Sequence, residues 1–113
     1  MKEIKIIIQD WKVSDVVDAL EGLPGVNGVT AIEVRGFGRD RDRRGLEVIA
    51  PGSVHRVTRT MLLLVVPDDS VREVLRVAQQ KAHSGNSGDG KIFVSAIEDA
   101  VRIRTNERGL DAL

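Results

Sequence analysis

The sequence predicts an α+β fold, a ferredoxin-like βαββαβ antiparallel sheet with both helices on one face. Three observations carry this. Apolar residues recur with a strand period, then a helix period, then a strand period, and that order occurs twice. Glycine and proline clusters punctuate both halves. Finally, a chain of 113 residues has room for one core of ordinary size, so residues 1–113 are expected to form one domain.

Each element follows from its own residues. Glu3 to Gln9 is rich in isoleucine and fits a strand. Val13, Val16, Val17 and Leu20 recur at spacings of three and four, which makes one face of a helix over Val13 to Leu23. Ser14 is the expected N-cap, and Gly22, Pro24 and Gly25 end the helix. Gly28 to Arg35, with Val-Thr-Ala-Ile-Glu-Val, predicts the second strand. Arg59 to Val66 predicts a third, stopped by Pro67. Ser70 with Glu73 three residues on reads as a capping box opening a second helix, whose buried stripe is Val71, Val74, Leu75 and Ala78. Ser84 to Gly90 is a loop, Lys91 to Ile97 the last strand, and residues 98–113 a C-terminal segment. Met61 to Val66 is apolar at consecutive positions, so both sides of that strand carry apolar side chains, although two helices cover only one. A neighbouring subunit is expected to cover the other.

Composition narrows the function. Lys plus Arg and Asp plus Glu are 17 each, a formal charge of zero. That balance argues against duplex nucleic acid or an anionic membrane as a partner held by bulk charge. Cysteine is absent, which excludes disulfides, thiolate metal sites and cysteine nucleophiles. Apolar runs are too short to span a bilayer, and the start lacks the apolar stretch of a signal peptide, so a soluble cytoplasmic protein is expected. The aromatics are Trp11, Phe37 and Phe93, few for stacking on bases. His55 and His83 have no ligand-like spacing, and no carboxylate pair or Ser/His/Asp set suggests catalysis, so neither an enzyme nor a metal site is expected.

Four segments bear on binding. Gly85-Asn86-Ser87-Gly88-Asp89-Gly90-Lys91 fits the G-x-x-x-x-G-K pattern of a phosphate loop. Ile92 follows where a P-loop needs Ser or Thr for magnesium, and the helix precedes the loop, so a P-loop NTPase is rejected. An anion-binding nest and a flexible connection both remain open. Gly36-Phe37-Gly38-Arg39 directly follows a strand, and paired glycines permit close backbone approach to a ligand. Alternation in Val-Arg-Ile-Arg-Thr would put Arg102 and Arg104 on one side of an extended chain, suited to a polyphosphate or to protecting a sheet edge. Phe37 to Thr58 spans roughly twenty residues without a convincing period, a length usual for a functional or disordered loop, and is read as a docking element.

Together these segments resemble the PII signal-transduction family over nearly the whole chain. The resemblance rests on the opening strand and helix, Glu33-Val34-Arg35-Gly36-Phe37-Gly38-Arg39, Gly88-Asp89-Gly90-Lys91-Ile92-Phe93-Val94 and Arg102-Ile103-Arg104-Thr105. It implies a homotrimer binding adenine nucleotides (ATP, ADP or AMP, with magnesium accompanying ATP) in clefts between subunits. It also implies a T-loop, here about residues 37–58, that docks onto a transporter, enzyme or regulator according to ligand state. By the same resemblance Thr30 and Val65 would flank the adenine, and Gly36, Gly38 and Arg39 would border the nucleotide at the T-loop base. The loop over about residues 84–91 would take the phosphates through Gly88, Asp89, Gly90 and Lys91. Arg102 and Arg104 would close the site from the next subunit. Arg39, Asp40, Arg59 and Lys91 are the effector candidates.

Departures from the family pattern carry their own expectations. No tyrosine is present, so tyrosine uridylylation is excluded. Asp40 stands where nitrogen-sensing members place the glutamine that helps hold magnesium and 2-oxoglutarate, and Leu63 replaces a strand glutamate that assists adenine recognition. A carboxylate at Asp40 repels a dicarboxylate, and about 1.4 kcal/mol of repulsion is about tenfold in affinity. Bicarbonate, as in carbon-associated PII-like proteins, is therefore the expected effector. An orthodox 2-oxoglutarate sensor is the alternative. From another class, the alternative is an RNA-binding domain of the same topology, which would need exposed aromatics on its central strands.

Overall fold

A computed structural model describes residues 1–36 and 57–113. β1 (Lys2–Ile8) alternates as its isoleucines require, with Ile4, Ile6 and Ile8 inside the core. A single 3-10 turn, Asp10–Lys12, leads straight into α1 (Val13–Glu21). Ser14 therefore lies within the helix, and the N-cap position falls to Lys12 without a side-chain cap. β2 (Thr30–Gly36) follows the expected course. β3 (Val57–Val66) begins two residues earlier than its apolar run implies, so Val57 and Thr58 belong to the strand rather than to the preceding loop. The expected T-loop otherwise falls on residues 37–56, outside the described residues.

α2 (Val71–Ala82) buries Val74, Val77, Ala78 and Ala82, while Val71 and Leu75 pack at the margin of the core. Ser70 occupies its N-cap position, but the capping box is not made. The Ser70 hydroxyl instead donates to Pro24 O at 3.1 Å, and Glu73 pairs with Arg76. Ser70 thus ties the loop after α1 to the start of α2. Gly25, at φ 85°, has to lack a side chain there, since a Cβ would stand 2.1 Å from Ser70 Oγ.

β4 (Lys91–Ala96) completes a sheet of order β2-β3-β1-β4, antiparallel at every junction. That is the expected ferredoxin-like topology. Both helices pack on the face that carries Ile4, Ile6, Ile8, Leu62, Leu64 and Val66. Register puts Ile32, Met61, Ile7 and Lys91 in one row across the other face, and Thr30, Leu63, Lys5 and Phe93 in the next. No element of the described chain covers that face, and Phe93 is 52% exposed on it.

The C-terminal segment departs from the extended reading. It folds back through an isolated bridge between Val101 and Arg108, with Arg102 N–H donating to Glu107 O at 2.9 Å. Asn106 adopts φ 60° and its N–H donates to Arg102 O at 2.8 Å, which closes a turn through residues 103–105. Alternation along a strand therefore does not govern Arg102 and Arg104. Among the described residues no helix is long and apolar enough to cross a membrane.

Candidate functional site

The loop between α2 and β4 is built on glycine conformations. Gly85, Gly88 and Gly90 have φ of 86°, 88° and 107°. At Gly90 the requirement is absolute: a Cβ would stand 1.8 Å from Ile7 O, so the loop runs against the backbone of β1. Asp89 closes the loop from within. Its carboxylate accepts from Ser84 N at 2.7 Å, from Gly85 N at 3.0 Å and from the Ser84 hydroxyl. The Ser84 hydroxyl bond, foremost, holds the Asp89 carboxyl below the usual carboxylate range, with the Ser84 and Gly85 N–H groups adding to it. The Asp89 side chain is thus committed to shaping the loop, while the main chain of Gly88 and Gly90 is exposed.

Three elements converge on Gly88. Gln9, just past β1, donates its side-chain amide to Gly88 O at 3.1 Å. Arg59 of β3 brings Nη2 to 3.2 Å from where a Cβ of Gly88 would be. Lys91 opens β4 beside Ile7 and is exposed. Gly36 pairs with Val57 at this same end of the sheet, so residues 37–56 leave from it and return to it. One guanidinium beside Gly88 and one exposed lysine at the end of the glycine loop suit a polyanion.

The remaining candidates lie elsewhere. Thr30 is opposite Leu63 and Val65 opposite Glu3, so both sit on the uncovered face toward its far end. From Arg59 to Val65 is six steps along one strand, ~20 Å. Arg102 and Arg104 belong to the C-terminal segment, which leaves β4 at the end away from Lys91. Arg102 is bonded to Glu107 Oε1 at 3.2 Å and to Leu113 O at 2.9 Å, while Arg104 is exposed on the turn. One protomer therefore brings Arg59 to Gly88 at the end of the sheet where Lys91 opens β4 and Gly36 closes β2, but leaves Thr30, Val65, Arg102 and Arg104 apart from them. Gly38, Arg39 and Asp40 lie outside the described residues. Gln9 was legible only as a strand end, because its partner Gly88 is 79 residues away.

The chain thus has a ferredoxin-like sheet with one uncovered face and a glycine-rich loop beside Arg59 at one end. The family model for nitrogen regulatory protein P-II matches residues 1–107. Nitrogen regulatory protein P-II of Rhodospirillum rubrum is 42% identical over 113 residues, with both chains covered in full. Nitrogen regulatory protein GlnK of Escherichia coli K12 is 37% identical over the same span, again in full. The crystal structure of Arabidopsis thaliana PII bound to citrate superposes with a TM-score of 0.79 at 33% identity, covering 99% of this chain and 91% of that one. The chain belongs to the PII family, whose members are signalling regulators rather than enzymes. Family members form homotrimers, bind adenine nucleotides and act on target proteins, which replaces the RNA-binding alternative.

Proposed function

We propose that this chain is a cytoplasmic signalling protein that binds ATP, ADP or AMP in clefts between the subunits of a homotrimer. The observation that carries the reading is the Gly88 to Lys91 loop, shaped by the Asp89 carboxylate, with Arg59 beside Gly88 and Lys91 at its end. Main-chain N–H groups of Gly88, Asp89 and Gly90 would meet phosphate oxygens, with Lys91 as a point charge and magnesium accompanying ATP. Thr30, level with Leu63, and Val65 would flank the adenine, four and six strand steps from Arg59, ~13 and ~20 Å along the sheet. In the trimer the phosphate and adenine groups would come from neighbouring subunits. Arg102 and Arg104 of a neighbour would close the cleft, and Gly36, Gly38 and Arg39 would connect it to the T-loop, residues 37–58, which docks on a target protein.

The effector reading rests on Asp40. Its charge beside Arg39 disfavours a dicarboxylate, so bicarbonate is preferred to 2-oxoglutarate, with Arg59 and Lys91 as the cationic side of the site. The relatives named as nitrogen regulators favour the alternative, 2-oxoglutarate. Calorimetry with ATP, ADP and AMP, with and without each anion, decides. Lys91→Ala should weaken ADP or ATP roughly 10- to 150-fold, the loss of a hydrogen bond to a charged group, at unchanged particle mass. Parental affinity in that variant would remove the phosphate assignment, and tighter ADP or ATP binding with 2-oxoglutarate alone would remove the bicarbonate reading.

A further inference from the structure

Gln9 is joined at both ends of its amide. Nε2 donates to Gly88 O at 3.1 Å, and Oε1 accepts from the Trp11 indole N–H at 2.7 Å. A carbonyl can only accept and an indole can only donate, so these partners admit one orientation of the amide. Trp11 is held on its face as well, since Lys12 Nζ lies 4.5 Å from the ring centroid. The ring is nonetheless 63% exposed. One side chain thus links an exposed indole to the main chain of the glycine loop.

What Gln9 holds is the peptide plane between Gly88 and Asp89. That unit is planar and trans, so its N–H points opposite to its C=O. Drawing Gly88 O toward Gln9 aims the Asp89 N–H away from it, toward the outside of the loop. Gly88, at φ 88° and without a Cβ, is the residue most able to let this plane rotate. Fixing the plane in advance removes a cost that a ligand would otherwise meet on binding.

We propose that Gln9 is the positioning residue of the nucleotide loop, and that it transmits the occupancy of the loop to Trp11. This rests on the nucleotide reading above. When phosphate oxygens accept from the loop N–H groups, they polarise the Gly88–Asp89 peptide in the orientation Gln9 already holds, which strengthens its bond to Gln9 Nε2, and the same amide group passes that change to the indole. Trp11 is the one tryptophan of the chain, so the emission comes from this indole, and the Gln9 variants separate the link from other influences on it.

The test is ADP titration of the full chain, followed in parallel by calorimetry and by Trp11 emission, for the parent, Gln9→Met and Gln9→Lys. Methionine keeps the length and loses both bonds. Lysine can donate to Gly88 O but cannot accept from the indole. In the parent, emission should change and saturate with the heat. Gln9→Met should bind ADP about 2- to 12-fold more weakly, the worth of one net hydrogen bond, with no emission change at saturation. Gln9→Lys should bind ADP at least as tightly as the parent, yet with silent emission. Circular dichroism and light scattering should match the parent in both variants. Absence of ADP heat in the parent would remove the nucleotide reading and this inference with it. The inference alone falls if ADP heat is present but Gln9→Met keeps the parental affinity. It also falls if Gln9→Lys is as weak as Gln9→Met, if the parental emission is silent, or if either variant's emission still responds.

Discussion

Replacing Gly90 by alanine would test how tightly the glycine loop is pressed on the central strand. Gly90 sits at φ 107°, where an L side chain costs about 1–3 kcal/mol. The added Cβ would also stand 1.8 Å from Ile7 O, 2.9 Å from Ile7 C and 3.2 Å from Ile8 Cα. All three are main-chain atoms at the end of β1, so no rotamer change relieves them, and a backbone shift costs about another 1–3 kcal/mol. The total, about 2–6 kcal/mol, is a large part of an ordinary stability of about 5–15 kcal/mol. With a urea slope of about 1–3 kcal/mol per molar, the midpoint should fall on the order of 2 M. Gly88→Ala provides the contrast. At φ 88° it meets the same backbone strain, but its nearest neighbour is the end of the Arg59 side chain at 3.2 Å, which can move. Gly22→Ala has ordinary φ −83° and open space, and should be neutral or stabilising by about 0.4–1 kcal/mol. Urea unfolding of the three variants, at one protomer concentration, should rank Gly22→Ala highest and Gly90→Ala lowest. A Gly90→Ala chain no less stable than Gly88→Ala would refute the close approach to Ile7.

Two further outcomes follow from the same geometry. Asp89 has a folded-state pKa below the usual carboxylate range, chiefly through the Ser84 hydroxyl, so its hold on the loop is complete above pH of about 4 and is lost as pH falls through the folded value. Amide resonances of Ser84 and Gly85 should move only below that range, and in Asp89→Ala should already be displaced at neutral pH; titration at or above the usual value would contradict the hydrogen bonds. Phe93→Glu places a charge on the uncovered sheet face without disturbing the helix-side core, so if the proposed trimer closes over this face the particle mass by light scattering should drop from three chains to one. An unchanged mass would mean that this face is not the subunit interface.

Much of the fold was legible because it is written in local periods. Isoleucine alternation in β1, three-and-four spacing in both helices and the punctuation by Gly22, Pro24 and Pro67 are properties of neighbouring residues. The double-sided apolar character of Met61 to Val66 likewise marks the sheet face that the two helices leave uncovered. Motif spacing located the Gly85 to Lys91 loop with its lysine, while Arg59 entered only with the family resemblance.

Tertiary structure decided what those residues do to one another. Ser70 has the pattern of a helix cap, yet its hydroxyl goes to Pro24 O, because folding brings a loop carbonyl from 46 residues away within its reach. Asp89 looks like a phosphate-side residue in sequence, but its carboxylate turns inward to Ser84 and Gly85. Arg102 and Arg104 alternate on paper, while Asn106 at φ 60° bends their segment into a turn. Gln9 carries no local signal at all. Period and composition report what a residue prefers among its neighbours along the chain; which distant carbonyl, indole or guanidinium it meets is set by strand register, and register exists only once the sheet has formed.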